Sequence, residues 1–317
     1  MASYESLLQL HEKFLQEYEY VVKLRSETLR GYKAVFTTFG KIMPEIERVV
    51  DLTPATMNEF FKRLATRERV VGKGMIKKGI KSSTVATYRN KLSKFFKWLI
   101  ARKYLLEDPF IGIPYPEVSY HDRKYLKKEQ VEKIFTTISF NISWQSTLIR
   151  KRNLAIFTIL LFCGLRKGEL IGLKLTDINL EHRELLVRGE TSKSKRDRYL
   201  PLNQRVIQSI KDYFEERMKV KVVTPYLWLP ADGGERFTVA GFKHLINKVN
   251  QVSGVRFHAH QFRHTFAVNV LNAGSDIYRL KQLLGHSDIR MTAVYLRSMP
   301  PRALQPDVNR LDLDNFL

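Results

Sequence analysis

Residues 283–297 read LLGHSDIRMTAVYLR and residues 258–267 read HAHQFRHTFA, and on these two stretches the reading of the chain turns. In the first, Gly285 ends a helix, His286 follows it, and Tyr295 stands nine residues further on. In the second, His260 and Arg263 are three apart, so a helix start there places them on one face. Each has a plain reading when taken alone. A His-x-x-Arg pair is most often structural, and Tyr295 is one of 14 tyrosines.

Two further clusters precede them. GLRKGEL, residues 164–170, sets Arg166 after an apolar helix and a glycine, with Glu169 at ion-pair spacing. TSKSKRDRYLPL, residues 191–202, carries Lys193 and Lys195 in a polar turn. The flanking ELLVRG (184–189) and RYLPL (198–202) are β-prone, which predicts a small antiparallel sheet.

Charge points to the partner. The chain has 317 residues and 37.2 kDa, room for two domains, with 54 Lys/Arg against 32 Asp/Glu, a net charge of +22 and a pI near 10.0. An ordinary metabolic enzyme is thereby a poor first reading, and a polyanion, nucleic acid above all, is the expected ligand. Residues 1–116 hold 21 Lys/Arg against 12 Asp/Glu (+9) and residues 117–299 hold 31 against 17 (+14), so both halves suit a duplex. Residues 300–317 hold 2 against 3 (−1), which suits a protein contact instead. Hydrophobic residues at 44% and aromatics at 11% exclude a disordered basic tail. The one cysteine, Cys163, lies in the apolar run Leu154–Leu165 and reads as a buried filler; that run is too short to span a bilayer. The first residues, MASYESLLQLHEKF, lack a signal-peptide layout, so a soluble, cytoplasmic setting is expected.

Ahead of the motifs the chain reads as helices: Tyr4–Lys23, Glu27–Met43 closed by Pro44, and Ala55–Ala65 opened by Thr53-Pro54. RVVGKGMIKKGIK, residues 69–81, reads as a basic loop or extended hairpin, with Lys73, Lys77 and Lys78 as candidate DNA contacts. Ser82 and Ser83 are expected to cap a helix with Val85, Tyr88, Leu92, Phe96 and Leu99 on one face; Lys91, Lys94 and Lys97 fall elsewhere, free to meet phosphate. Asp108-Pro109, Pro114 and Pro116 break the periodicity and mark a linker over 111–123.

Arg166, the hairpin lysine, His260 with Arg263, His286 and Tyr295, in that order, resemble the tyrosine recombinase or phage integrase family, most closely its compact Xer-like members. LLGHSDIRMTAVY is nearly a consensus of the family's last motif and HQFRHTFA of its third. The resemblance implies a mainly α (α+β) fold: a helical core-binding domain (1–110), the linker, a mostly helical catalytic domain with a small antiparallel sheet (124–299), and a tail (300–317). By resemblance, Arg166 and Arg263 clamp the phosphate, Tyr295 attacks to form a 3′-phosphotyrosyl link, and a turn lysine protonates the 5′-oxygen. Lys193 fits that role best, and Lys195 remains open. His260 moves the tyrosine proton, His286 hydrogen-bonds the phosphate, and Glu169 supports its neighbours. No cofactor, metal or ATP is implied.

The expected substrate is double-stranded DNA with a short inverted-repeat site. It is held in a C-shaped clamp by a homotetramer that exchanges strands through a Holliday junction, with a partner recombinase or an accessory DNA-bending protein left open. Leu311, Leu313 and Phe316 are expected to dock the tail on a neighbouring protomer, which truncation after Arg302 would test. Rival readings are a type IB topoisomerase-like enzyme, a DNA-binding accessory protein without catalysis, and an RNA-binding protein. The first shares the chemistry but not the assembly. The second leaves six intact site residues without a purpose, and the third explains the charge alone.

Overall fold

Apolar residues recurring at three- and four-residue steps form helices throughout the first hundred residues of the computed structural model, which describes residues 5–72, 74–117, 125–191 and 196–298. They are α1 (Leu7–Tyr20), α2 (Ser26–Ile42), α3 (Pro54–Thr66) and α4 (Ser82–Ala101). Thr53 caps α3 with Pro54 in its first turn, as the sequence predicts, and Ser6 and Gln9 close a capping box on α1 that the sequence reading did not single out. Ser82 and Ser83 do not cap α4. Lys81 takes the extended position before the helix, which leaves the serines inside its first turn.

Leu10, Phe14, Phe39, Phe60, Phe96 and Leu99 meet in the core of this unit. The buried side of α4 is wider than the expected stripe, because Phe95 and Trp98 also turn inward against α1. Between α3 and α4, β1 (Glu68–Val71) and β2 (Met75–Lys78) pair antiparallel, Val70 opposite Ile76, as a hairpin with β2 wholly exposed. Part of the expected linker belongs to this unit. Arg89 on α4 donates to the carbonyls of Ile113 (2.8 Å) and Pro114 (2.6 Å), and Asn90 donates to the Tyr115 hydroxyl (3.0 Å). Prolines end the periodicity there, yet an extended strip can still lie along a helix.

His11 is buried in this aromatic core, stacked 3.8 Å from Phe36 and edge-on to Phe95. Burial, with the nearby Lys33 charge, lowers its pKa to about 4. The unfolded chain therefore binds a proton below about pH 6.5 that the folded chain refuses until about pH 4, so stability falls with pH across that window. The loss is at most about 3 kcal/mol. His11→Phe keeps a ring in the stack, and its thermal midpoint should fall less than that of the wild type between pH 7 and pH 4. Parallel curves would reject His11 as the source.

The chain divides into two compact units, Met1–Tyr120 and His121–Leu317. The second is built around α6 (Thr147–Cys163), which is buried on nearly all sides and so lies inside the unit rather than on it. Packed with it are α5 (Lys128–Thr136), α8 (Gln204–Arg217), α9 (Val239–Ser253) and α10 (Ala259–Asn272). Cys163 is buried, and burial pushes its thiol up to about 12, in keeping with a filler. A three-stranded antiparallel sheet, β3 (Ile178–Asn179), β4 (Glu184–Val187) and β5 (Arg198–Pro201), lays Leu185, Val187 and Leu200 on the core. Short helices α7 (Lys167–Ile171), α11 (Ile277–Leu284) and α12 (Arg290–Ala293) complete it. No described helix is long and apolar enough to cross a membrane.

Candidate active site

The site forms where α6, α10 and α11 end or begin. α6 stops at Gly164, in the left-handed region at φ +61°. A Cβ there would lie 2.3 Å from Phe266 Cδ1 on α10, so only glycine admits this approach. The turn delivers Arg166 as the N-cap of α7. Its backbone N–H donates to Glu169 Oε2 (2.9 Å) and its Nη1 to Glu169 Oε1 (2.8 Å).

Glu169 is fully buried. Burial opposes its charge, but Arg198, together with Arg166, outweighs this and holds the carboxyl at about 2. Arg198, the first residue of β5, donates Nη1 to Oε1 (3.1 Å) and Nη2 to Oε2 (2.8 Å).

Arg263, on the second turn of α10, is 1% exposed and ties three motifs together. It donates to the carbonyls of Gly164 (Nη1, 2.8 Å) and Leu284 (Nη2, 2.6 Å), and Nη2 lies 2.9 Å from His286 Nε2. Burial lowers its pKa to about 10, with the Arg166 charge adding to the effect. Because a guanidinium can only donate, His286 Nε2 accepts, so the ring proton sits on Nδ1 and is donated to Thr292 Oγ1 (2.9 Å). Burial, then the Arg263 and Arg166 charges, lower the His286 pKa to about 3. It is neutral at ordinary pH.

Tyr295 is 2% exposed, packed with Phe266, Leu280 and Leu284. Its ring is parallel to His286 at 6.2 Å and edge-on to His264 at 5.0 Å; His264 in turn meets His260 at 4.9 Å. His260 is exposed while Arg263 is buried, so the two diverge on α10 rather than sharing an environment. Arg166, Glu169, Arg263, His286 and Tyr295 are thus gathered in one place, with His260 reached through His264. Lys193 and Lys195, together with Lys73 and the tail residues Leu311, Leu313 and Phe316, lie outside the described residues.

Sequence reasoning missed Arg198, His264 and Thr292. His264 had a signal, since it lies one helical turn after His260. Arg198 and Thr292 had none, because their partners come from other elements. In the first unit, Lys77, Lys78, Lys94 and Lys97 are exposed. Lys91 is not free as expected: its ammonium lies 4.4 Å from the Tyr32 ring, and burial lowers its pKa. α2 passes close enough to cover that side of α4.

Two guanidiniums, a buried tyrosine and a neutral histidine beside one another can hold an oxyanion and stabilise added negative charge on it. That is the chemistry of a phosphoryl-transfer site. Residues 124–301 match the model of the phage integrase family. The tyrosine recombinase XerC of Bacillus licheniformis is 31% identical over 225 residues, 69% of this chain and 71% of that protein. XerD of Proteus mirabilis is 27% identical over 289 residues, 90% of this chain and 87% of that one.

Among solved structures, the Tn1549 transposon integrase in complex with transposon right end DNA shares the fold, with a TM-score of 0.75 at 19% identity, covering 96% of this chain and 99% of that one. XerH bound to palindromic difH substrate gives 0.72 at 20%, covering 93% and 82%. The chain belongs to the phage integrase family and is a tyrosine-type site-specific recombinase.

Proposed function

We propose that this recombinase cleaves and rejoins double-stranded DNA at a short inverted-repeat site through a 3′-phosphotyrosyl link on Tyr295. The observation that carries this reading is Arg263, whose one buried fork joins Gly164, Leu284 and His286 beside the tyrosine. Tyr295 Oη attacks phosphorus, the bond to the 5′-oxygen breaks, and the energy of the diester stays in the new link. The phenolic proton leaves toward His260, and Lys193, or Lys195, protonates the departing oxygen. Arg166 and Arg263 hold the non-bridging oxygens as charge builds on them.

His286 donates to a phosphate oxygen only with its proton on Nε2. That tautomer requires Arg263 Nη2 to release Nε2 and turn to the phosphate, while the Thr292 hydroxyl reverses from acceptor to donor toward Nδ1. Strand exchange runs through a Holliday junction in a homotetramer on cytoplasmic, nucleoid DNA, with residues 1–110 as core-binding domain, 124–299 as catalytic domain and the tail bridging protomers. The XerH and Tn1549 integrase structures, both with DNA, support the partner class.

The test is covalent capture: incubate the protein with fragments of its source genome, denature with detergent, and sequence the ends of DNA that stays attached. Enrichment of one inverted-repeat site is expected; adducts spread without site preference would favour a topoisomerase. The β1–β2 hairpin adds a graded prediction. Lys77→Gln and Lys78→Gln together should flatten the slope of log Kd against log salt by about 2, roughly one for each phosphate no longer neutralised. An unchanged slope would remove the hairpin from the interface.

A further inference from the structure

Glu169 is the most deeply buried carboxylate of the site, and two guanidiniums share it. Arg198 takes both of its oxygens, and its Nε donates to Leu283 O (3.1 Å) at the end of α11. The guanidinium lies against Gly285, where a Cβ would come 2.9 Å from Nη1. One side chain therefore ties the start of β5 to α7 and to the turn that carries His286. Among the described residues, Arg166 by contrast gives Glu169 Nη1 and its backbone N–H, while its Nη2 has one long contact, 3.4 Å to Gly285 O.

We propose that Arg198 is a positioning residue for strand cleavage: by balancing Glu169 it keeps the Arg166 charge available to the scissile phosphate, and by holding Leu283 it sets the His286 turn. The proposal rests on the reading of the site given above. A buried carboxylate at 2.8 Å would otherwise cancel much of the Arg166 charge and draw its fork inward. Among the described residues of the site, three arginines with one carboxylate leave a surplus of two positive charges, and removing Arg198 halves it. Only a planar fork reaches both carboxylate oxygens and the Leu283 carbonyl together, so lysine is a poor substitute.

The full-length chain and its Arg198→Met, Arg198→Lys and Glu169→Gln/Arg198→Met variants are compared on the captured site. Single-turnover cleavage and DNA Kd are measured, along with the Glu169 carboxyl titration by carbon NMR. Arg198→Met should cleave about a hundredfold slower with Kd within about threefold. Arg198→Lys should recover less than about tenfold. Removing the carboxylate as well should restore about tenfold over Arg198→Met with rates taken per folded, DNA-bound protein, so that relief of an unpaired buried charge on stability is not counted as a gain in cleavage.

The Glu169 carboxyl should titrate well above the wild-type value of about 2 once Arg198 is replaced. Cleavage by Arg198→Met within about threefold of wild type, or a double variant no faster than it, overturns the proposal. Should Arg198→Met fail to fold, Arg198→Lys is judged by the same rates. Should the wild type form no adduct at all, the reading of the site fails, and an unmoved Glu169 titration then overturns the Arg198 proposal separately.

Discussion

Tyr295→Phe is expected to bind its DNA site as the wild type does and to form no covalent adduct. The ring of Tyr295 fills a pocket made by Phe266, Leu280 and Leu284, and it lies parallel to His286; phenylalanine keeps all of this. Only the hydroxyl is lost. A buried hydroxyl contributes on the order of 1 kcal/mol to stability, so the thermal midpoint should move by a few degrees at most. If this hydroxyl is the proposed nucleophile, its loss should lower cleavage by about 10⁴-fold or more, which in a detergent capture assay means no adduct above background. The measurement pairs that assay with a binding curve on the same DNA. An adduct that survives the substitution would assign the nucleophile elsewhere, whereas loss of binding along with the adduct would make Tyr295 a packing residue.

Arg263→Lys should be nearly as damaging, for a different reason. The charge is kept, but a single ammonium cannot reach the Gly164 carbonyl, the Leu284 carbonyl and His286 Nε2 at once. On the proposed role of Arg263 in holding the phosphate, cleavage should fall about 10³-fold, the scale of losing one fixed donor at a reacting centre. Two buried carbonyls lose a donor as well, so stability should fall by roughly 2 kcal/mol.

The pH dependence separates charge from geometry. Burial brings Arg263 down to about 10, which leaves it charged at any working pH. A lysine starts about two pKa units lower, so the same burial would bring its ammonium to about 8. Residual cleavage by Arg263→Lys should therefore decline as pH rises through about 8, where the wild type is flat with respect to this group. A variant whose rate does not change between pH 7 and pH 9 would show that the burial cost is relieved by local rearrangement.

His286 carries the opposite expectation at the acid end. With its pKa lowered to about 3 it remains neutral from about pH 4 upward, so its ionisation does not shape the rate near neutrality. Its folded pKa lies below the unfolded value near 6.5, and it therefore adds to the loss of stability as pH falls from 6.5 toward 3.

Local patterns in the sequence determined most of the elements. Thr53 before Pro54, the apolar run that became α6, and the glycines after α6 and α11 act through their own few neighbours, by satisfying end groups or admitting a left-handed turn. Period and spacing are properties of consecutive residues; they left Arg166, Arg263, His286 and Tyr295 with ordinary readings one by one, and the resemblance of their motifs to those of the tyrosine recombinases made them a set.

What lay beyond that reading depended on elements far apart in the chain. Phe95 and Trp98 turned inward because α1 packs on a second side of α4, which no single helix period reveals. Ile113 and Tyr115 left the linker because Arg89 and Asn90 were there to hold them. The proton on His286 Nδ1 follows from Arg263 donating to the other nitrogen. The neutral state follows from burial among three arginines. Arg198 found Glu169 twenty-nine residues away, through the packing of β5 against the end of α11. Charge state, tautomer and partner choice depend on distances of three to five ångströms between residues that the sequence separates widely, and only the packed chain sets those distances.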